Sequence, residues 1–98
     1  MIRHIVFFKI KEDVSRDDPR VERVFAALRA LPDKIEGIEE WEVGENFSDR
    51  PIAVDYALFS SFSTREDLAR YIDHPAHREV VGLLKEVSTW QLCDYLNG

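Results

Sequence analysis

The spacing of apolar residues along this chain switches between every second position and every third or fourth, and that switching limits the folds open to it. Ile2 to Lys11 alternates, with Ile2, His4, Val6, Phe8 and Ile10 on one face and Arg3, Ile5, Phe7, Lys9 and Lys11 on the other. Its β-branched and aromatic content predicts a strand. A polar stretch, Asp13 to Asp18, follows. Asp18-Pro19 then reads as an N-cap with proline at the first helical position. Val21, Val24, Phe25, Leu28 and Leu31 recur at helical spacing, and Pro32 is expected to end that helix. After a turn at Ile35 to Ile38, Glu39 to Gly44 is a second strand. Asn46 to Pro51 has turn chemistry. Ala53 to Phe62 alternates again as a third strand, with Val54, Tyr56, Leu58, Ser60 and Phe62 on one face.

Ser63-Thr64-Arg65-Glu66 reads as a capping box, and a short helix through Leu68, Tyr71 and Ile72 is expected after it. His74-Pro75 interrupts that helix, because proline lacks an N–H and pushes the residue before it out of helical geometry. A further helix carries Val80, Val81, Leu84 and Val87. Trp90 to Leu96 is the last strand, with Trp90, Leu92, Asp94 and Leu96 on one face.

The order β-α-β-β-α-β over residues 1–98 predicts one domain, an α+β fold of ferredoxin-like type. Right-handed crossovers give a four-stranded antiparallel sheet in the order 4-1-3-2, with both helical regions on one face. The other face then presents Ile5, Phe7, Ala57 and Phe59. An apolar patch of this kind marks an interface, and the economical solution is a homodimer whose sheets pack face to face, a dimeric α/β barrel.

The same topology sets strand 4 beside strand 1, so Asp94 and His4 are expected as neighbours on the helix-covered side. An Asp–His hydrogen bond would satisfy a carboxylate placed among apolar residues. It would serve equally as an ion pair pinning the strand ends. His77 falls at the third position of the helix opened by Pro75. The positive helix end disfavours its protonation, which suits a general base. Asp94 is a second possible partner, orienting the His77 ring. Tyr71, near the end of the preceding helix, could donate its phenol to a substrate oxygen. The competing reading makes Tyr71 a core aromatic and His74 and His77 helix caps. Val6, Phe8, Leu58 and Trp90 share the covered face and would wall any pocket there.

Composition closes off several functions. Against 13 Lys and Arg stand 19 Asp and Glu, a formal net charge of −6, with no basic run to neutralise phosphates; no nucleic-acid partner is expected. No apolar run approaches the ~20 residues that span a bilayer, so no membrane partner is expected. The start of the chain runs straight into a strand pattern without secretory-leader features, and its single Cys93 fits a cytoplasmic location. Two histidines across a proline break are a weak zinc signal, so no metal is expected. The four glycines form no phosphate loop, and no nucleophile elbow is present.

Ile2-Arg3-His4-Ile5-Val6-Phe7-Phe8-Lys9, Gly44 and Asn46, Tyr71 with His74-Pro75-Ala76-His77, and Cys93-Asp94-Tyr95 together resemble the stress-responsive A/B barrel domain (Dabb) family. The resemblance covers nearly the whole chain. It implies a dimeric α/β barrel with a His/Tyr/Asp pocket between sheet and helices, taking a small apolar or aromatic ligand. A plant polyketide cyclase of that family works without a cofactor. By that likeness His77 corresponds to its base and Tyr71 to the partner of the substrate oxygen, with His4 and Asp94 in the same pocket. The cyclase's pocket tyrosine on the first helix has no counterpart among Phe25 and Leu28, so its substrate is not carried over. Three functions follow: a small-molecule-binding dimer, a cofactor-free cyclase or isomerase, and a monooxygenase-like barrel enzyme.

Overall fold

A computed structural model describes Met1–Gly98. Its elements are β1 (Ile2–Ile10), α1 (Pro19–Arg29), a short 3-10 turn (Leu31–Asp33), β2 (Ile38–Glu45), β3 (Tyr56–Phe62), α2 (Arg65–Asp73), α3 (Pro75–Val87) and β4 (Ser88–Leu96). The sheet runs β2-β3-β1-β4, which is the expected 4-1-3-2 order, and all neighbours are antiparallel.

Each element follows from local chemistry. The Asp18 side chain accepts from the backbone N–H of Arg20 at 2.9 Å, and Pro19 opens α1 behind it. Val21, Val24, Phe25 and Leu28 form the buried stripe of that helix. The helix closes at Arg29, before Pro32, and Leu31 is buried from the 3-10 turn instead. Gly37 takes φ +95°, a conformation L side chains rarely adopt, and a Cβ there would lie 3.1 Å from Asp67 Oδ1.

The core lies between the covered face of the sheet and the helices. Phe25 stacks on Tyr56 at 3.7 Å between centroids and meets Phe8 edge-on at 5.3 Å. Ser60 is fully buried, and its hydroxyl is satisfied by donating to the His4 carbonyl at 2.9 Å. On the opposite face the register sets Ile5 beside Phe59 and Cys93, and Phe7 beside Ala57. Arg3 lies over the Phe59 ring and bonds Glu40, whose Oε1 also accepts from Ser61 Oγ. No helix is long and apolar enough to cross a membrane.

Two expectations need correction. Ala53 to Asp55 is not strand. Ala53 N–H closes a turn onto Arg50, while the Asp55 carboxylate takes the Ile10 N–H at 2.7 Å, replacing the strand pairing that would have continued there. Arg16 then ties Asp55 to Glu45. The cap of α2 is Thr64, not Ser63: Thr64 Oγ1 accepts from the Asp67 N–H at 3.1 Å, and Ser63 instead donates to Glu39.

Replacing Thr64 by alanine should therefore cost about 1 kcal/mol of folding free energy in urea denaturation. Ser63→Ala should leave stability nearly unchanged; a larger loss from Ser63 than from Thr64 would place the cap wrongly.

Candidate functional site

The break between α2 and α3 positions the site. His74 is extended, at φ −65° and ψ 137°, and it closes α2 and opens α3 at once. Its Nδ1 accepts from the Ala76 N–H at 3.0 Å, so the ring serves as the cap. Tyr71 lies on the inner side of the last turn of α2, 1% exposed. His77 is the third residue of α3, as the proline predicts.

Between these helices and the covered face of the sheet is a cavity of about 240 Å³. Fourteen residues line it, eleven of them hydrophobic, so its few polar groups stand out against an apolar wall. All eight residues singled out in the sequence are present: His4, Val6 and Phe8 from β1, Leu58 from β3, Tyr71 from α2, His77 from α3, and Trp90 and Asp94 from β4. Leu28, Ile72, Val80, Val81, Leu84 and Leu92 complete the wall. Leu92 was signalled by its place between Trp90 and Asp94 on one strand face. Leu28, Val80 and Leu84 carried only the general signal of an apolar helix stripe. Ile72 and Leu92 are half exposed and form an apolar rim.

His4 and Asp94 are direct register partners, and His4 Nδ1 lies 2.5 Å from Asp94 Oδ1. Asp94 is thus committed to His4 and does not orient His77, which corrects that alternative. His77 Nδ1 instead lies 3.0 Å from the Ile72 carbonyl oxygen. A carbonyl only accepts, so Nδ1 carries the hydrogen and Nε2 keeps a free lone pair. Burial holds the His77 pKa below its ordinary value, and the neighbouring His4 and His74 push it the same way; the Ile72 bond opposes them. The direction is the one expected from the helix end, but its leading cause is burial.

Tyr71 stands between the two imidazoles, 4.4 Å from the His77 ring and 5.8 Å from the His4 ring. Burial, and then the Asp94 charge, raise its phenol above the ordinary range, so it remains a donor. Trp41 of β2 packs edge-on against Tyr71 at 5.7 Å. Its buried indole N–H has no hydrogen-bond partner, and that packing sets an aromatic ring, a weak acceptor, beside it. No group of three or more His, Cys, Asp or Glu is arranged to hold a metal ion. A larger, open groove lies on the other sheet face, between Phe7, Ala57, Arg50 and Ile52, and none of these histidines reaches it.

The fold recurs in known proteins. The family profile Dabb, the stress responsive A/B barrel domain, matches residues 2–97. SCO4036 of Streptomyces coelicolor, described as an uncharacterized protein, is 47% identical over 95 residues, which is 97% of this chain and 98% of that one. A dimeric protein of ferredoxin-like fold and unknown function from Bacteroides fragilis is 31% identical at a TM-score of 0.80, with 96% of this chain and 93% of that chain covered. A hydroxynitrile lyase from Passiflora edulis superposes at a TM-score of 0.83 over 99% of this chain and 93% of that one; at 20% identity the likeness is one of fold.

The depressed His77 pKa has a consequence for stability. Between its folded value and the ordinary 6.5 the unfolded chain binds more protons, so stability falls as pH drops through that window and levels below it. His77→Gln should remove this component. Its urea midpoint should drop less than that of the wild type between about pH 7 and pH 5. Equal drops would show that the ring titrates like a free histidine.

Proposed function

This chain belongs to the stress responsive A/B barrel domain (Dabb) family, and from that premise we propose that it is a homodimer that binds a small, mainly apolar molecule in the His4/Tyr71/His77/Asp94 cleft and transfers a proton there without a cofactor. The carrying observation is the His77 ring: its Nδ1 is tied to Ile72, burial keeps it neutral, and it stands beside the Tyr71 ring in an apolar cavity.

The cavity bounds the ligand. An apolar cavity of about 150 Å³ holds a benzene. A space of about 240 Å³ takes one ring with a short substituent. Hydrophobic lining favours the ring, and the few polar groups suit a single oxygen function. His77 Nε2 would remove a proton next to a carbonyl, and the Tyr71 hydroxyl would donate to the oxygen on which charge develops. A positioned base of this kind contributes ~10²–10⁴-fold in rate.

A second reading is binding without turnover. One observation favours it: the only carboxylate of the cleft is bonded to His4, leaving His77 without a counter-charge for the proton it would take.

A thermal-shift screen of small aryl ketones and phenols, followed by NMR of each hit for exchange of its acidic C–H protons in D₂O, separates these readings. Proton transfer requires that a stabilising ketone exchange its protons and that His77→Ala stop the exchange without loss of fold. Ligands that stabilise the protein and come through unchanged would leave binding alone. No stabilisation by any compound would defeat both.

The homodimer rests on the uncovered sheet face, where Ile5, Phe7, Ala57 and Phe59 adjoin and Phe7 is 47% exposed. The dimeric relative from Bacteroides fragilis supports it. The exposed thiol of Cys93 lies on the same face and suits a reducing cytoplasm. Phe7→Glu should give a folded monomer in sedimentation velocity; a variant still sedimenting as a dimer would exclude this face.

A further inference from the structure

We propose that His4 is a second proton-transferring residue of the cleft, with Asp94 as its positioning residue. This rests on the proton-transfer reading above and adds to it a second group and a class of substrate.

The cleft holds two imidazoles whose inner nitrogens are both engaged, but by different partners. His77 Nδ1 gives its hydrogen to a neutral backbone carbonyl, whereas His4 Nδ1 lies 2.5 Å from a carboxylate oxygen. With Asp94 ionised, His4 carries its hydrogen on Nδ1, and Nε2 is left for the ligand. A proton arriving at His4 Nε2 forms a net-neutral pair with Asp94, which an apolar cavity tolerates far better than an isolated charge. His77 has no such compensation. His4 is only 4% exposed, yet it is among the residues that line the cavity, together with Tyr71 and His77. The Asp94 side chain is 37% exposed at the edge strand, a route by which the pair can exchange protons with water.

The two histidines suit a ring-sized ketone with an acidic C–H beside its carbonyl. The C–H bond breaks and its proton passes to His77 Nε2, while the electron pair moves onto the carbonyl oxygen. A proton that the His4–Asp94 pair has first taken up from water at His4 Nε2 passes to that oxygen, forming the enol. One C–H and one N–H bond break, and one N–H and one O–H bond form. No electrons are gained or lost. Return of the proton to carbon reverses both transfers, with exchange against solvent in between.

Acetophenone fits this description and serves as the probe, its methyl protons followed by NMR in D₂O with the full-length protein. His4→Gln should slow the exchange by about 10²-fold. Asp94→Asn keeps an acceptor for Nδ1–H but removes the charge. It should lower the saturated rate about 10-fold and leave the half-saturating concentration unchanged. If His4→Gln fails to fold, the Asp94→Asn result decides. Wild-type rates in the folded variants, with His77→Ala inactive, would overturn the role of His4 and leave the cleft's own reading standing. No exchange by the wild-type protein would overturn both.

Discussion

Strand β1 is bonded on both sides, to β3 and to β4, so two neighbours fix its pleat at once. A slip of one residue would turn Ile2, His4, Val6, Phe8 and Ile10 outward and bring Lys9 and Arg3 into the core. The rest of the molecule depends on that register. It sets His4 opposite Asp94 and Ser60, gives the helices an apolar floor, and leaves Ile5 and Phe7 on the uncovered face. One strand thus supplies the floor of the cleft, one of its two imidazoles and the centre of the candidate dimer surface.

The second constraint is the proline at 75. It stops α2 where Tyr71 points inward and restarts the helix so that His77 enters the same cavity from the next element. The break also sets the His77 ring against the Ile72 carbonyl, at the end of α2. The two histidines of the cleft therefore differ in kind. One is held by a carboxylate across a strand pair, the other by a backbone carbonyl across a helix break.

The sheet was legible in the sequence because a strand buried on one face must alternate, and four such segments with two helical stripes leave few topologies. The His4–Asp94 contact was legible for a related reason: antiparallel pairing of the first and last strands brings the chain's ends together. The position of His77 followed from Pro75. What escaped was chemistry in which side chains compete with backbone. Asp55 fits the alternating pattern of a strand, yet its carboxylate caps β1 and ends the ladder. Ser63 and Thr64 are adjacent hydroxyls, and only the path of the chain chooses between them. The partner of His77 is a main-chain carbonyl, which carries no residue signature, so Asp94 stood as its alternative. Cavity volume was out of reach as well, since it depends on how closely α2 and α3 settle on the sheet.

His74 caps two helices, as the residue just past the end of one and just before the start of the next. The separation of Tyr71 and His77 is therefore written into the covalent chain rather than into the packing around it. Side chains in the wall can change bulk, and the cavity with them, without altering the offset of this pair. An added or deleted residue at the junction would instead rotate one helix against the other and pull the pair apart. By this geometry a substitution around the junction would reshape the cavity wall over a fixed Tyr71–His77 offset, whereas a change of length would destroy the offset itself.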